Sequence, residues 1–328
     1  MNEPRRSRRI PVLGCIGRTA RLTWVEIAKL IAHKFFLFTI LMTLAVTVLL
    51  GFVGKSFSEG RTNIRFSNYS LWVVTASFGL QIATILLVAQ GAMAMSSEAT
   101  SRTLNTILCR PIRRIEFAVA KALSLVFATL VIVGATGLAG FIVGGTVQDT
   151  PRSSRGMILE ISGSRRPASE AGEPDEEHPE PPPRRAGFPT YGDVVDPDFP
   201  DLVISPKWEV LGNISFGFLL LVVPVLAAAA VGFFLGTLLD SSALATGLSV
   251  GIFLTLEATK FFAPFEEYLG RYAYNYPINR LFTLMREIGN GAEVDWKDAL
   301  GGVEASAVYI VVFFLVSFIV FCRRDVTL

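Results

Sequence analysis

The chain has 328 residues, 51% of them hydrophobic, a mean hydropathy of +0.49 and a formal net charge of only +2. A soluble core of this size needs no six long apolar runs, and a near-neutral balance argues against a nucleic-acid-binding protein. Cys15, Cys109 and Cys322 lie far apart with neither disulfide nor metal-ligand spacing, so free thiols in a reducing compartment are expected.

Residues 1–34 read as a cytoplasmic arm followed by a helix lying on the membrane. Thr23 and Glu26 form a capping-box pattern. Trp24, Ile27, Ala28 and Ile31 fall on one side, with Glu26, Lys29, His33 and Lys34 mostly elsewhere. No cleavable signal peptide is expected, because the first long apolar run begins only at Phe35 and is itself a full span. Span one covers residues 35–53, enough for a hydrocarbon layer of about 30 Å at about 1.5 Å per residue. The following Gly54-Lys55-Ser56 imitates a nucleotide-binding loop, but Leu49 occupies the required glycine position.

Span two, residues 71–94, places Gln81 and Gln90 at depth. An amide in lipid turns toward another helix or a cavity, so both are candidates for lining a path or gate. Met93 and Met95 imitate a copper-binding thioether pair, yet no cysteine or histidine adjoins them, and they read as the end of the span.

The next stretch, residues 98–121, reads EATSRTLNTILCRPIRRIEFAVAK, with five cationic side chains against Glu98 and Glu116. Each Arg or Lys at a bilayer centre costs about 2.5 to 3.5 kcal/mol, so residues 95–121 must form a loop between spans. Pro111 divides it, and Leu104, Ile107 and Leu108 would share one face of a short helix before the proline.

Span three, residues 117–145, has small residues at every third position (Gly134, Gly137, Gly140), which lets helices approach closely. Residues 146–210 then form an insert whose acidic proline tract, 174–183, is expected to be disordered. The short apolar runs at 157–161 and 202–204 could pair as strands in a small external subdomain. Span four covers 211–239 and contains Pro224, and Asp240-Ser241-Ser242 makes a tight turn into span five, 243–262.

Gly247-Leu248-Ser249-Val250-Gly251 matches the Gly-x-Ser-x-Gly pattern of serine hydrolases, but it lies within an apolar helical run with no histidine placed beside it. Glu257 and Lys260 can pair on one helix face near the end of span five, as an interfacial ion pair or part of a gate. Residues 263–302 carry Leu281, Leu284, Met285 and Ile288 at helical spacing beside four tyrosines, which indicates short helices in the outer interface. Span six, 303–321, leads into Arg323-Arg324-Asp325.

The arm, the basic loop, the short turn and the tail together hold 15 Lys and Arg in 73 residues, against 14 in 121 for the other loops. Both termini are therefore expected in the cytoplasm, with the chain a multi-pass protein of a cell inner membrane. The expected fold is all-α, with domains 1–34, 35–145, 146–210 and 211–328.

Glu98, Arg102-Thr103-Leu104, Leu108, Arg110-Pro111, Arg113-Arg114, Phe117 and Lys121 resemble the loop between spans two and three of type-2 ATP-binding-cassette exporter permeases, with Arg102 and Ala120 where that family has glycine. The leading amphipathic helix and the terminal Arg-Arg-Asp are similar to family members too. The resemblance implies an elbow helix at the start and a coupling helix in the basic loop. That helix would dock on an ATPase subunit through Glu98, Arg102, Leu104, Leu108, Arg110, Pro111, Arg113 and Arg114. It further implies a second permease copy or a paralogue, and no cofactor on this chain, with ATP and Mg on the partner. The chain would then be no enzyme by itself. Two rivals stand beside this reading: an ion-coupled secondary transporter using Glu257 and Lys260, and an intramembrane hydrolase using Ser249. The two halves of the chain do not match as inverted repeats, since one carries the long basic loop and the other only Asp240-Ser241-Ser242.

Overall fold

The computed structural model describes residues 12–60, 68–100, 113–147, 194–195, 203–259, 273, 276–290, 292 and 296–323. Among them are eight helices: α1 (Val12–Ala32), α2 (Lys34–Gly60), α3 (Asn68–Thr100), α4 (Arg114–Val147), α5 (Lys207–Leu238), α6 (Ser242–Thr259), α7 (Tyr276–Gly289) and α8 (Trp296–Arg323). Six of these, all but α1 and α7, are long and apolar enough to cross a membrane, as the hydropathy runs require. A helix satisfies its own backbone hydrogen bonds, which no lipid can do, and that fixes the fold class. Among the described residues the extended structure is a short antiparallel pairing of Val194–Val195 (β1) with Val203–Ser205 (β2). The predicted strand run 202–204 thus pairs within its own half of the insert; the run at 157–161 and the acidic proline tract lie outside the described residues.

The helices outrun the apolar segments, because polar residues at their ends reach water and leave the helix intact. Span one gains Lys34 and a tail to Gly60, span two extends to Thr100, and span six starts at Trp296. One expectation fails at α1. Thr23 does not cap a helix start but sits inside the helix, its hydroxyl donating to the Thr19 carbonyl at 2.9 Å. A threonine with a free carbonyl four residues before it bonds backward as readily as it caps.

The centre of the bundle is α3, which packs against α5, α4, α2, α6 and α7. Its contact with α5 is backbone against backbone. A Cβ added at Gly91 would overlap the Ala229 carbonyl oxygen, one at Gly232 the Val88 carbonyl, and one at Gly236 the Ala92 carbonyl. Small residues permit this approach, and van der Waals contact then replaces a hydrophobic drive that lipid does not supply. Against α2, buried Thr39, Thr43 and Thr47 each donate to the carbonyl four residues earlier, so their hydroxyls need no partner across the seam. Near the start of α3, Trp72 is clamped. Its Nε1 donates to the Gly137 carbonyl at 2.8 Å, and its ring stacks on Phe218 with centroids 5.6 Å apart.

By contrast α6 and α8 bury little of themselves in the chain. On α6, nothing lies within 4 Å of a Cβ added at Gly247 or Gly251, so these glycines form no close helix contact within the described residues. The amphipathic segment before the last span is α7, and Leu281, Leu284, Met285 and Ile288 are all buried on one side of it, as their spacing predicts.

Candidate functional site

The two ends of the cationic stretch meet at one end of the bundle. Glu98 lies in the last turn of α3, and Lys121 lies two turns into α4. Lys121 Nζ donates to Glu98 Oε1 at 2.6 Å. The same ammonium reaches Glu26 Oε2 of α1 at 2.8 Å, and Lys29 Nζ donates to Glu26 Oε1 at 2.8 Å. Glu26 and Lys121 are each 7% exposed, and the Glu98 side chain 14%. Charges this far from water persist only when each faces an opposite charge, because desolvation alone is worth several kcal/mol per ion. The geometry therefore ties α1, α3 and α4 together through one cation with two acceptors.

Further contacts widen this clasp. The Phe117 ring lies 5.3 Å from Lys121 Nζ and 6.1 Å from the Phe321 ring, which brings in the end of α8. Thr100 Oγ1 donates to the Asp240 carbonyl at 2.9 Å, joining the end of α3 to the turn between α5 and α6. At the start of α4 the Arg113 N–H donates to Glu116 Oε2 at 3.4 Å, a cap that fixes where the loop ends. Glu98, Arg113 and Arg114 thus stand at the two feet of the loop; Arg102, Leu104, Leu108, Arg110 and Pro111 lie outside the described residues.

Burial would raise the Glu26 carboxyl, but Lys121 and then Lys29 beside it outweigh burial and hold it below its ordinary value. A depressed carboxylate contributes stability that is fully present above its unfolded value and is lost as pH falls through the folded one. Acidification below about pH 4.5 is therefore expected to lower the melting temperature of the wild type more steeply than that of E26Q, which lacks this titration. Thermal unfolding of both proteins from neutral to acid pH checks it, and parallel curves would contradict the linkage.

The path candidates separate by depth. Gln90 lines a cavity of about 180 Å³ together with Glu26, Glu98 and Lys121, and its Oε1 is buried with no hydrogen-bond partner among the described residues. Gln81 and Glu257 line a second cavity, of about 590 Å³, between α3, α6 and α7, with Tyr276, Asn279 and Arg280. Lys260 lies outside the described residues. Ser249 is wholly buried inside α6 and donates to the Ala245 carbonyl at 2.6 Å, so the Gly-x-Ser-x-Gly pattern forms no strand-to-helix elbow. Among the described residues, no group of three or more His, Cys, Asp or Glu is placed to hold a metal ion.

Sequence reasoning missed Glu26, which the helical wheel put on the polar side of α1. It also passed over the pairing of Lys121, although a lysine at the foot of an apolar span signals a required acidic partner. Asn279 and Arg280 of α7 were not singled out either, although both line the larger cavity.

Residues 22–161, from α1 through the end of α4 and into the insert, match a family model described as ABC-2 family transporter protein. None of the curated proteins matches the chain.

Proposed function

We propose that the chain, whose residues 22–161 match the ABC-2 transporter family model, is a membrane permease of that kind and the permease half of an ATP-driven exporter. A separate ATP-binding subunit holds ATP and Mg and docks on the loop between α3 and α4. The observation that carries this reading is the Glu26–Lys121–Glu98 cluster, which binds both feet of that loop to α1. A push on the loop then moves α3, α4 and α1 as one unit, and through Thr100 and Asp240 also bears on the α5–α6 turn.

In this mechanism the loop end faces the cytoplasm, a reading that the higher basic density at that end supports. Closure of the ATPase pair displaces the segment carrying Leu104 and Leu108, and α3, the hub of the bundle, passes the displacement toward the far cavity. Shifting a two-state path from 1:99 to 99:1 takes about 5.5 kcal/mol, so the ATPase must dock differently in the two states. A second permease, a copy or a paralogue, completes the path, and the open Gly247 and Gly251 face of α6 suits close contact with it.

L104D and L108D are expected to abolish stimulation of the ATPase by the permease while membrane insertion stays normal. Transport and hydrolysis assays on the reconstituted complex check this, and wild-type transport in either variant would sink the docking assignment. An ion-coupled carrier would instead keep working without any ATPase and stop on loss of its gradient.

A further inference from the structure

The cavity between α3, α6 and α7 has an internal gradient of polarity. Along α3, Ile85 lies about 20 Å and Gln81 about 26 Å from the loop end at Glu98, at about 1.5 Å rise per residue. Along α6, Phe253 lies about 17 Å and Glu257 about 23 Å from Ser242 by the same rise. The deep wall is apolar, built by Ile85, Phe253 and Leu254, with Ile82 nearer the mouth beside Gln81; the far rim carries Glu257, Tyr276, Asn279 and Arg280.

The rim continues into a neighbouring cavity of about 280 Å³. Gln81, Asn279 and Thr283 line both cavities, and Arg286 lines the smaller one. Arg280 and Arg286, about one and two-thirds turns apart on α7, thus flank a partition of two amides and a hydroxyl, and among the described lining residues Glu257 is the one carboxylate against them. A cavity of this size, mostly apolar with a few convergent polar groups, has the usual anatomy of a small-molecule site.

We infer that this cavity binds an amphiphile with an anionic head, its head between Arg280 and Arg286 and its tail along Ile82, Ile85, Phe253 and Leu254. The inference rests on the chain being a permease and names the chemistry of its cargo. Guanidinium groups bind phosphate or carboxylate oxygens through paired N–H donors, and the amide and hydroxyl groups of the partition add neutral donors. The tail end points to the bilayer middle and the head to the far surface, which is the orientation an amphiphile already has in that leaflet.

Native mass spectrometry of the full chain in a neutral detergent tests this, with dodecyl phosphate, dodecyltrimethylammonium and inorganic phosphate as probes. Saturable binding of dodecyl phosphate alone is expected. R280A weakens it about tenfold or more, R280K retains most of it, and R286A, at an exposed position, weakens it by a smaller factor. I85W, which fills the deep wall, abolishes it. Equal binding of the cationic amphiphile, equal binding of inorganic phosphate, or full affinity in both R280A and R286A overturns the assignment. Phosphatidic acid serves as a competitor: displacement of dodecyl phosphate identifies a membrane lipid as the occupant, and no displacement identifies a single-chain amphiphile. The measurement needs no ATPase, so a negative result leaves the permease reading standing, and failure of L104D or L108D to uncouple leaves this binding untouched.

Discussion

K121M is expected to lose ATPase-coupled transport and about 3 to 5 kcal/mol of stability, because it leaves Glu26 and Glu98 buried with their shared counter-charge gone. Stability and coupling can be told apart with a second protein. In E26Q/E98Q/K121M no uncompensated buried charge remains, since Lys29, which loses Glu26, is exposed, and replacing a buried ion cluster by neutral groups is often close to neutral for folding. The triple variant should therefore regain most of the lost stability, read as a melting temperature near the wild type. Its coupling ratio, transported cargo per ATP hydrolysed, should stay low, since α1 is no longer pinned to the loop. Recovery of both would mean that the cluster serves only to hold the fold.

The second large effect is expected at the crossing of α3 and α5. G232V should prevent stable assembly of the bundle, with a penalty beyond the 1 to 3 kcal/mol that ordinary overpacking brings. The obstacle at Gly232 is the Val88 carbonyl, with the Ala92 backbone N–H just behind it; neither can rotate aside as a side chain would. The helices must separate, and contacts along the whole crossing loosen together. G134V and G212V are the controls, since nothing lies within 4 Å of an added Cβ at either position. Yield after solubilisation and protease resistance should fall for G232V and remain near wild type for the controls. Equal behaviour of all three would refute the backbone contact.

Both predictions depend on pairings that a local reading of sequence does not supply. The six spans were legible because an apolar run long enough to cross a bilayer has few other uses. The α7 segment was legible because Leu281, Leu284, Met285 and Ile288 repeat at one helical face. What escaped was the meaning of Glu26. Its neighbours Thr23 and Lys29 offer a complete local account, a cap and a solvated ion pair, yet its buried oxygen answers to Lys121, 95 positions away. Gln81 and Glu257 were each singled out for being polar in an apolar run. Only the fold shows that they line one cavity, and that Arg280 from α7 joins them. Helix ends escaped for a simpler reason. Hydropathy marks where lipid contact stops, and the hydrogen-bond ladder continues past that point into water.

The hub position of α3 also bears on how the protein is made. The face of α3 that meets α5 leaves the ribosome long before its mate, for α5 begins at Lys207, 107 positions beyond Thr100. At translation rates of about 5 to 20 residues per second, that leaves an interval of roughly 5 to 20 s. Throughout it α3 presents the face around Val88, Gly91 and Ala92 without its mate to whatever insertase or lipid stands beside it. The first half of the bundle therefore waits for α5, and the chain between Thr100 and Lys207 sets the length of its wait.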